Sequence, residues 1–202
     1  MKILRFLEFL NKKSLILGEI KTGKTKFTAE LLKEAIDLGF SSKITVIDLA
    51  PKTKTLNGEF IGLPITNYVN IDSKIVYVRA EVKAPRIEGK NKEEVLKIAE
   101  ENATVINEVF NNFLKSNDRE ILFINDVSLY LHKGDLNKLF SVLSKVNTAI
   151  LNGYYGKLLN NDLNSGISLR EKSLMVKLAE LMDLIFEMKN FKLLKINVED
   201  LI

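Results

Sequence analysis

The stretch of this 202-residue chain that is richest in chemistry is Gly18-Glu19-Ile20-Lys21-Thr22-Gly23-Lys24-Thr25, which meets the spacing G-x-x-x-x-G-K-[ST] at every position. Each prescribed residue has a physical task. Glycines at 18 and 23 admit backbone angles that side chains avoid. The N–H groups of the loop, from Glu19 through Ile20, Lys21 and Thr22, can then turn inward on phosphate oxygens. A helix beginning near Lys24 adds the positive end of its dipole. The Lys24 ammonium is expected on the β- and γ-phosphates, and the Thr25 hydroxyl on magnesium. Such a loop needs a partner, an apolar strand that ends in aspartate. Ile121-Leu122-Phe123-Ile124-Asn125-Asp126 fits, and Asp126 is expected to hold the same ion, directly or through water.

The residue after Asp126 is Val127, which has no carboxylate with which to activate water. Asp48, at the end of a second strand, is the expected substitute, because the carboxyl ends of parallel strands are where such sheets hold ligands. Glu81 is a second candidate. Surface or capping roles compete for both. Asn152 is read either as a sensor of the terminal phosphate or as a turn residue before Gly153. Arg86 lies in a polar stretch, residues 83–90, where an exposed loop arginine competes with a contact to phosphate or a partner. Tyr130 and His132 follow the aspartate strand and can touch a base or substrate or simply pack. Tyr154 and Tyr155 sit in a Gly/Asn-rich loop, where they can stack on a base or meet another protein.

Composition narrows the field. The chain has no cysteine, which removes disulfides, thiolate metal sites and cysteine nucleophiles together and fits a reducing cytoplasm. Its single histidine, His132, excludes a multi-histidine metal centre within one chain. A net charge of +4, with signs that alternate along most segments, permits nucleic-acid binding without arguing for it. Apolar runs are strand-sized, so no membrane span is expected. Residues 1–10 are apolar, yet no small-residue cleavage site follows. They are read as a short helix, within residues 1–12, that packs Ile3, Phe6, Leu7 and Leu10 on the domain.

The elements that must position these residues alternate along the chain. Strands are expected at residues 14–17, 43–49, 73–82, 121–125, 148–151, 184–188 and 191–196. Helices are expected at 24–38, from 91 onward, at 135–146 and from 168 to about 182. Asn91 with Glu94, and Ser168 with Glu171, read as capping boxes. Phe27, Leu31, Ala35 and Leu38 form the stripe of the first helix. Uniformly apolar strands between amphipathic helices indicate a mostly parallel sheet covered on both faces, a three-layer α/β/α domain over residues 1–202.

The loop and the aspartate strand, about a hundred residues apart with a further strand between them, resemble the RecA-like branch of P-loop NTPases. No guanine-reading N-K-x-D occurs, which favours ATP. The order of elements is similar to that of the ATP:corrinoid adenosyltransferase family. Its pieces correspond to residues 121–126, to 148–153 and to Asp183-Leu184-Ile185-Phe186-Glu187-Met188-Lys189. That family usually has glutamate where Val127 stands, a loop richer in glycine, and a shorter segment than residues 152–167. The resemblance therefore implies the fold and a Mg-ATP site, not the acceptor. Three functions follow as expectations. The first is a slow ATPase or ATP-dependent transferase. The second is a nucleotide-gated switch with a protein partner or a second copy of itself. The last is a RecA-like nucleic-acid motor subunit.

Overall fold

A computed structural model describes residues 5–51, 54–56, 59–116 and 118–201. Four strands, Lys13–Leu17 (β1), Ile44–Asp48 (β2), Ile121–Asn125 (β6) and Thr148–Asn152 (β7), are buried along nearly their whole length. This is the signature of strands covered on both faces. Their side chains partition by the period of two. Leu15, Leu17, Ile47, Leu122, Ile124, Ala149 and Leu151 enter one core. Ile16, Ile44, Val46, Ile121, Phe123 and Ile150 enter the other.

The seven-stranded sheet runs β5-β2-β6-β7-β1-β8-β9, where β5 is Val76–Arg79, β8 is Leu184–Lys189 and β9 is Lys192–Ile196. All pairings are parallel except β8 with β9. β7 therefore lies between the loop strand β1 and the aspartate strand β6. Two short antiparallel strands, Lys54–Leu56 (β3) and Glu59–Ile61 (β4), form a separate ribbon where the sequence shows no periodicity.

Helix Lys24–Asp37 (α1) covers one face of the sheet together with a 3-10 turn, Phe6–Phe9. Helices Lys92–Ser116 (α3), Ser128–Leu131 (α4), Leu136–Ser144 (α5) and Ile167–Ala179 (α6) cover the other, and Pro85–Glu88 (α2) precedes α3. No described helix is long and apolar enough to cross a membrane.

Four local expectations need correction. The N-terminal element is a 3-10 turn, and Leu7 is 55% exposed. With three residues per turn, Phe6 and Phe9 eclipse and share the buried face, which turns Leu7 outward. Ile3 lies outside the described residues. In α1, Leu38 is a 47% exposed terminal residue, and the buried stripe is Thr28, Ala29, Leu31, Leu32 and Ala35. Finally, α6 is capped by Gly166 rather than Ser168, because the Glu171 carboxylate is drawn away to Arg86 and His132. The Asn91 cap is present, with Glu94 N–H donating to its Oδ1 at 2.8 Å, but the Glu94 side chain reaches the Lys90 N–H instead of the cap.

Candidate functional site

Residues 18–25 link β1 to α1 in a tight turn. Gly18 (φ 147°), Lys21 (φ 60°) and Gly23 (φ 99°) all take positive φ. Both glycines also have close neighbours. A Cβ at Gly18 would lie 2.4 Å from the Met188 carbonyl oxygen, and one at Gly23 would lie 2.8 Å from the Phe191 ring. Lys24 Nζ donates back to the Gly18 carbonyl at 2.9 Å and the Glu19 carbonyl at 2.5 Å. Burial lowers its pKa to about 8, and the negative charges of Asp126 and Glu19 hold it from falling further.

Asp126 follows β6 in the left-handed region (φ 62°). Burial pushes its carboxyl above the ordinary range, opposed by a hydrogen bond from Ser128 Oγ and by the Lys24 charge. The unusual backbone angle is over-determined by neighbours. Asp126 N–H donates to Asn152 Oδ1 at 3.0 Å, and Val127 N–H donates to the Asn152 carbonyl at 2.9 Å. Asn152 Nδ2 donates to Thr28 Oγ1 and to Asn125 Oδ1, both at 2.9 Å. Asn152, at the buried end of β7, thus joins α1, β6 and the Asp126 turn.

Asp48 continues this network. Its carboxylate accepts from Asn125 Nδ2 (2.8 Å), Ala50 N–H (3.1 Å), Ile65 N–H (2.7 Å) and the Tyr77 hydroxyl (3.1 Å). The charge of Asp48, added to burial, raises Tyr77 to about 12. With four donors on a fully buried carboxylate, Asp48 anchors the segment after β2 and orients Asn125. Glu81 is exposed.

A cleft opens from the loop across the carboxyl ends of the strands. Lys24, Thr25, Asn125, Asp126 and Asn152 line it, together with Arg86, His132, Tyr154 and Glu171. Arg86 is not an exposed loop residue. Its side chain is 7% exposed and Glu171 only 5%. Arg86 Nη2 donates to Glu171 Oε2 and lies 2.7 Å from His132 Nε2, and His132 Nε2 is 2.5 Å from the same carboxylate oxygen. Arg86 Nη1 holds the Leu159 carbonyl at 2.9 Å, and its guanidinium lies 5.4 Å from the Tyr154 ring centre. Glu19 binds the same loop from the other side, accepting from the N–H groups of Lys157 and Leu158.

The structure separates the remaining aromatic candidates. Tyr130 is fully buried and donates to Asn107 Oδ1 at 2.7 Å, so it packs in the core, while His132 two residues later faces the cleft. Tyr154 lines the cleft, and the Tyr155 hydroxyl turns away to the Leu201 carbonyl. Sequence reasoning missed Asn125, Ser128 and Glu171. For Glu171 the one available signal, its spacing from Ser168, pointed to a cap.

Among the described residues no three His, Cys, Asp or Glu side chains form a metal cluster. A cation here would be held by Thr25, Asp126 and oxygens of a bound anion. Hard oxygen donors, few in number and completed by phosphate, suit magnesium. A scan of protein-family models and a search of curated proteins found no match to this chain.

Proposed function

We propose that this protein binds Mg-ATP at residues 18–25 and acts on it as a slow hydrolase or an ATP-dependent transferase. The observation that carries the reading is that Lys24, in a turn of positive-φ residues between β1 and α1, lines one cleft with Asp126 at the carboxyl end of β6. The position of β7 between β1 and β6 supports the RecA-like branch, in which a further strand separates the two motifs.

The chain's residues divide the work as follows. Loop N–H groups and the α1 dipole hold the phosphates. The Lys24 ammonium, now on two loop carbonyls, exchanges them for β- and γ-oxygens. Thr25 and Asp126 would hold magnesium, which would neutralise charge that develops on the phosphates. Asn152 and Asn125 keep Asp126 in place. Glu171 supplies the carboxylate that Val127 does not. It lines the cleft, its charge is felt by Asp126, and Arg86 and His132 hold its Oε2. It is thereby oriented to take the proton of a water or an acceptor hydroxyl that attacks the γ-phosphorus as the bond to the β-phosphate breaks.

One observation favours a second reading, a nucleotide-gated switch. Glu19 is part of the phosphate loop and also caps the N–H groups of Lys157 and Leu158, so a loop rearranged by nucleotide pulls directly on residues 153–166. Product analysis after prolonged incubation with Mg-ATP, with Lys24→Ala as the blank, tests both. ADP and phosphate from the wild type alone support the hydrolase. Intact ATP that is retained only by the wild type supports the switch or a transferase lacking its acceptor. Absence of binding in the wild type refutes the site.

A further inference from the structure

The hairpin that closes the sheet carries a bulky residue where glycine belongs. Lys189 pairs with Lys192, which leaves Asn190 and Phe191 as a two-residue turn. Their φ values are 49° and 59°. Two consecutive positive angles define the type I′ turn, whose preferred sequence is Asn-Gly. Asn190 obeys that preference, and Phe191 does not. A large aromatic in the left-handed region is strained. Burial does not repay the strain, because Phe191 is 73% exposed. A strained residue held against its conformational preference points to function.

The location of the ring suggests which function. It lies against Gly23, and Met188 of the same hairpin lies against Gly18. The hairpin therefore packs against the phosphate loop at both glycines and brings Phe191 to Gly23, the residue before α1. Asp126 lies on the opposite flank, since β7 and β6 follow β1 on one side of the sheet and β8 and β9 on the other. A triphosphate whose terminal phosphates face Asp126 leaves its nucleoside end toward the hairpin.

We propose that Phe191 is the stacking platform for a nucleobase, so that the occupant of the loop is a nucleoside triphosphate rather than an inorganic polyphosphate. The inference rests on the reading of residues 18–25 as a triphosphate site. An exposed ring beside a phosphate cradle can stack on a base, a contact that tolerates any base and needs no hydrogen-bond pattern.

Calorimetric titration of the full chain with Mg-ATP and with Mg-tripolyphosphate, which lacks a base, separates the two claims. The variants are Phe191→Gly, Phe191→Tyr and Lys24→Ala. Expected are an affinity for Mg-ATP about tenfold weaker in Phe191→Gly, an unchanged affinity for tripolyphosphate in the same variant, and ATP binding retained in Phe191→Tyr. Phe191→Gly should also melt at a higher temperature, because glycine relieves the turn. That combination, a more stable protein that binds ATP less well, is not produced by damage to the fold. Equal ATP affinity in Phe191→Gly and wild type overturns the stacking role while Lys24→Ala still reports on the phosphate site. Loss of ATP and tripolyphosphate affinity in equal measure from Phe191→Gly also overturns it, by making the hairpin a support for the loop alone. A wild type that binds neither compound overturns both readings.

Discussion

Asn152 donates through Nδ2 to Asn125 Oδ1 at 2.9 Å, and this single amide–amide bond ties β7 to β6 directly behind Asp126. Asn125 in turn donates to Asp48 at 2.8 Å, so three buried polar side chains from neighbouring strands form one chain of donors and acceptors. Such networks resist the loss of any member, because each deletion leaves buried groups unsatisfied.

Asp48→Asn tests what that carboxylate does. As a hub accepting from four donors, it becomes after substitution an amide whose own NH2 group faces other donors. Unfolding in urea is expected to show a loss of about 2–3 kcal/mol. Turnover per folded molecule is expected to stay near wild type. Unchanged stability with lost turnover would instead assign Asp48 to orienting the attacking group.

Lys24→Ala and Asp126→Asn are expected to fail in different ways. On the proposed reading the first removes the cation that meets the phosphates, so ATP binding and any turnover should be lost with or without metal. The second weakens the magnesium-dependent part of binding and leaves affinity in EDTA near wild type. Equilibrium binding with and without magnesium distinguishes them. Unaltered ATP affinity in both variants would place the nucleotide elsewhere.

The lowered pKa of Lys24 gives two pH effects of opposite sign. The folded chain releases this proton near 8, whereas the unfolded chain keeps it to the ordinary value of 10.5. Between those values the unfolded state binds more protons, so this group makes stability rise with pH. Phosphate binding needs the charged ammonium, so affinity for Mg-tripolyphosphate falls above about pH 8, by up to roughly tenfold per unit. Titration at about pH 7, 8 and 9 measures it. Lys24→Arg is expected to be flat over that range, because a guanidinium does not titrate there.

Arg86→Ala leaves the Glu171 carboxylate buried without its main counter-charge, and urea unfolding is expected to show a loss of about 3–5 kcal/mol. Arg86→Met combined with Glu171→Leu is expected to recover most of it. Glu171→Gln keeps the shape. If Glu171 takes the attacking proton, this variant loses roughly a hundredfold or more of the turnover and still binds Mg-ATP. Single-turnover measurement on saturated protein checks the latter.

Much of the scaffold was legible. The spacing of residues 18–25 and the apolar runs that form β1, β2, β6 and β7, the third of them leading into Asp126, rest on local chemistry read within one element. What escaped depends on pairs made by topology. Arg86 and Glu171 are 85 residues apart and meet only because α2 and α6 flank the same cleft. Local spacing assigned Glu171 to a helix cap, and the buried ion pair claimed it instead. Leu7 was misplaced for a different reason, since a period of 3.6 was applied to a turn that repeats every three residues. Phe191 looked like the first residue of a strand, because nothing in its apolar character announces a positive φ.

The edge of the sheet has a consequence for the protein in concentrated solution. β9 is paired on one side with β8, and among the described residues no strand continues the sheet beyond it. Its backbone could template the strand of another molecule. Lys192 and Lys195 are exposed along it, and Lys189 is exposed at the end of the adjoining strand. Two such rims brought together repel, which guards an otherwise open edge against growth into aggregates. The guard is ionic, so high salt screens it, and crowded preparations of this chain are expected to begin associating at that rim.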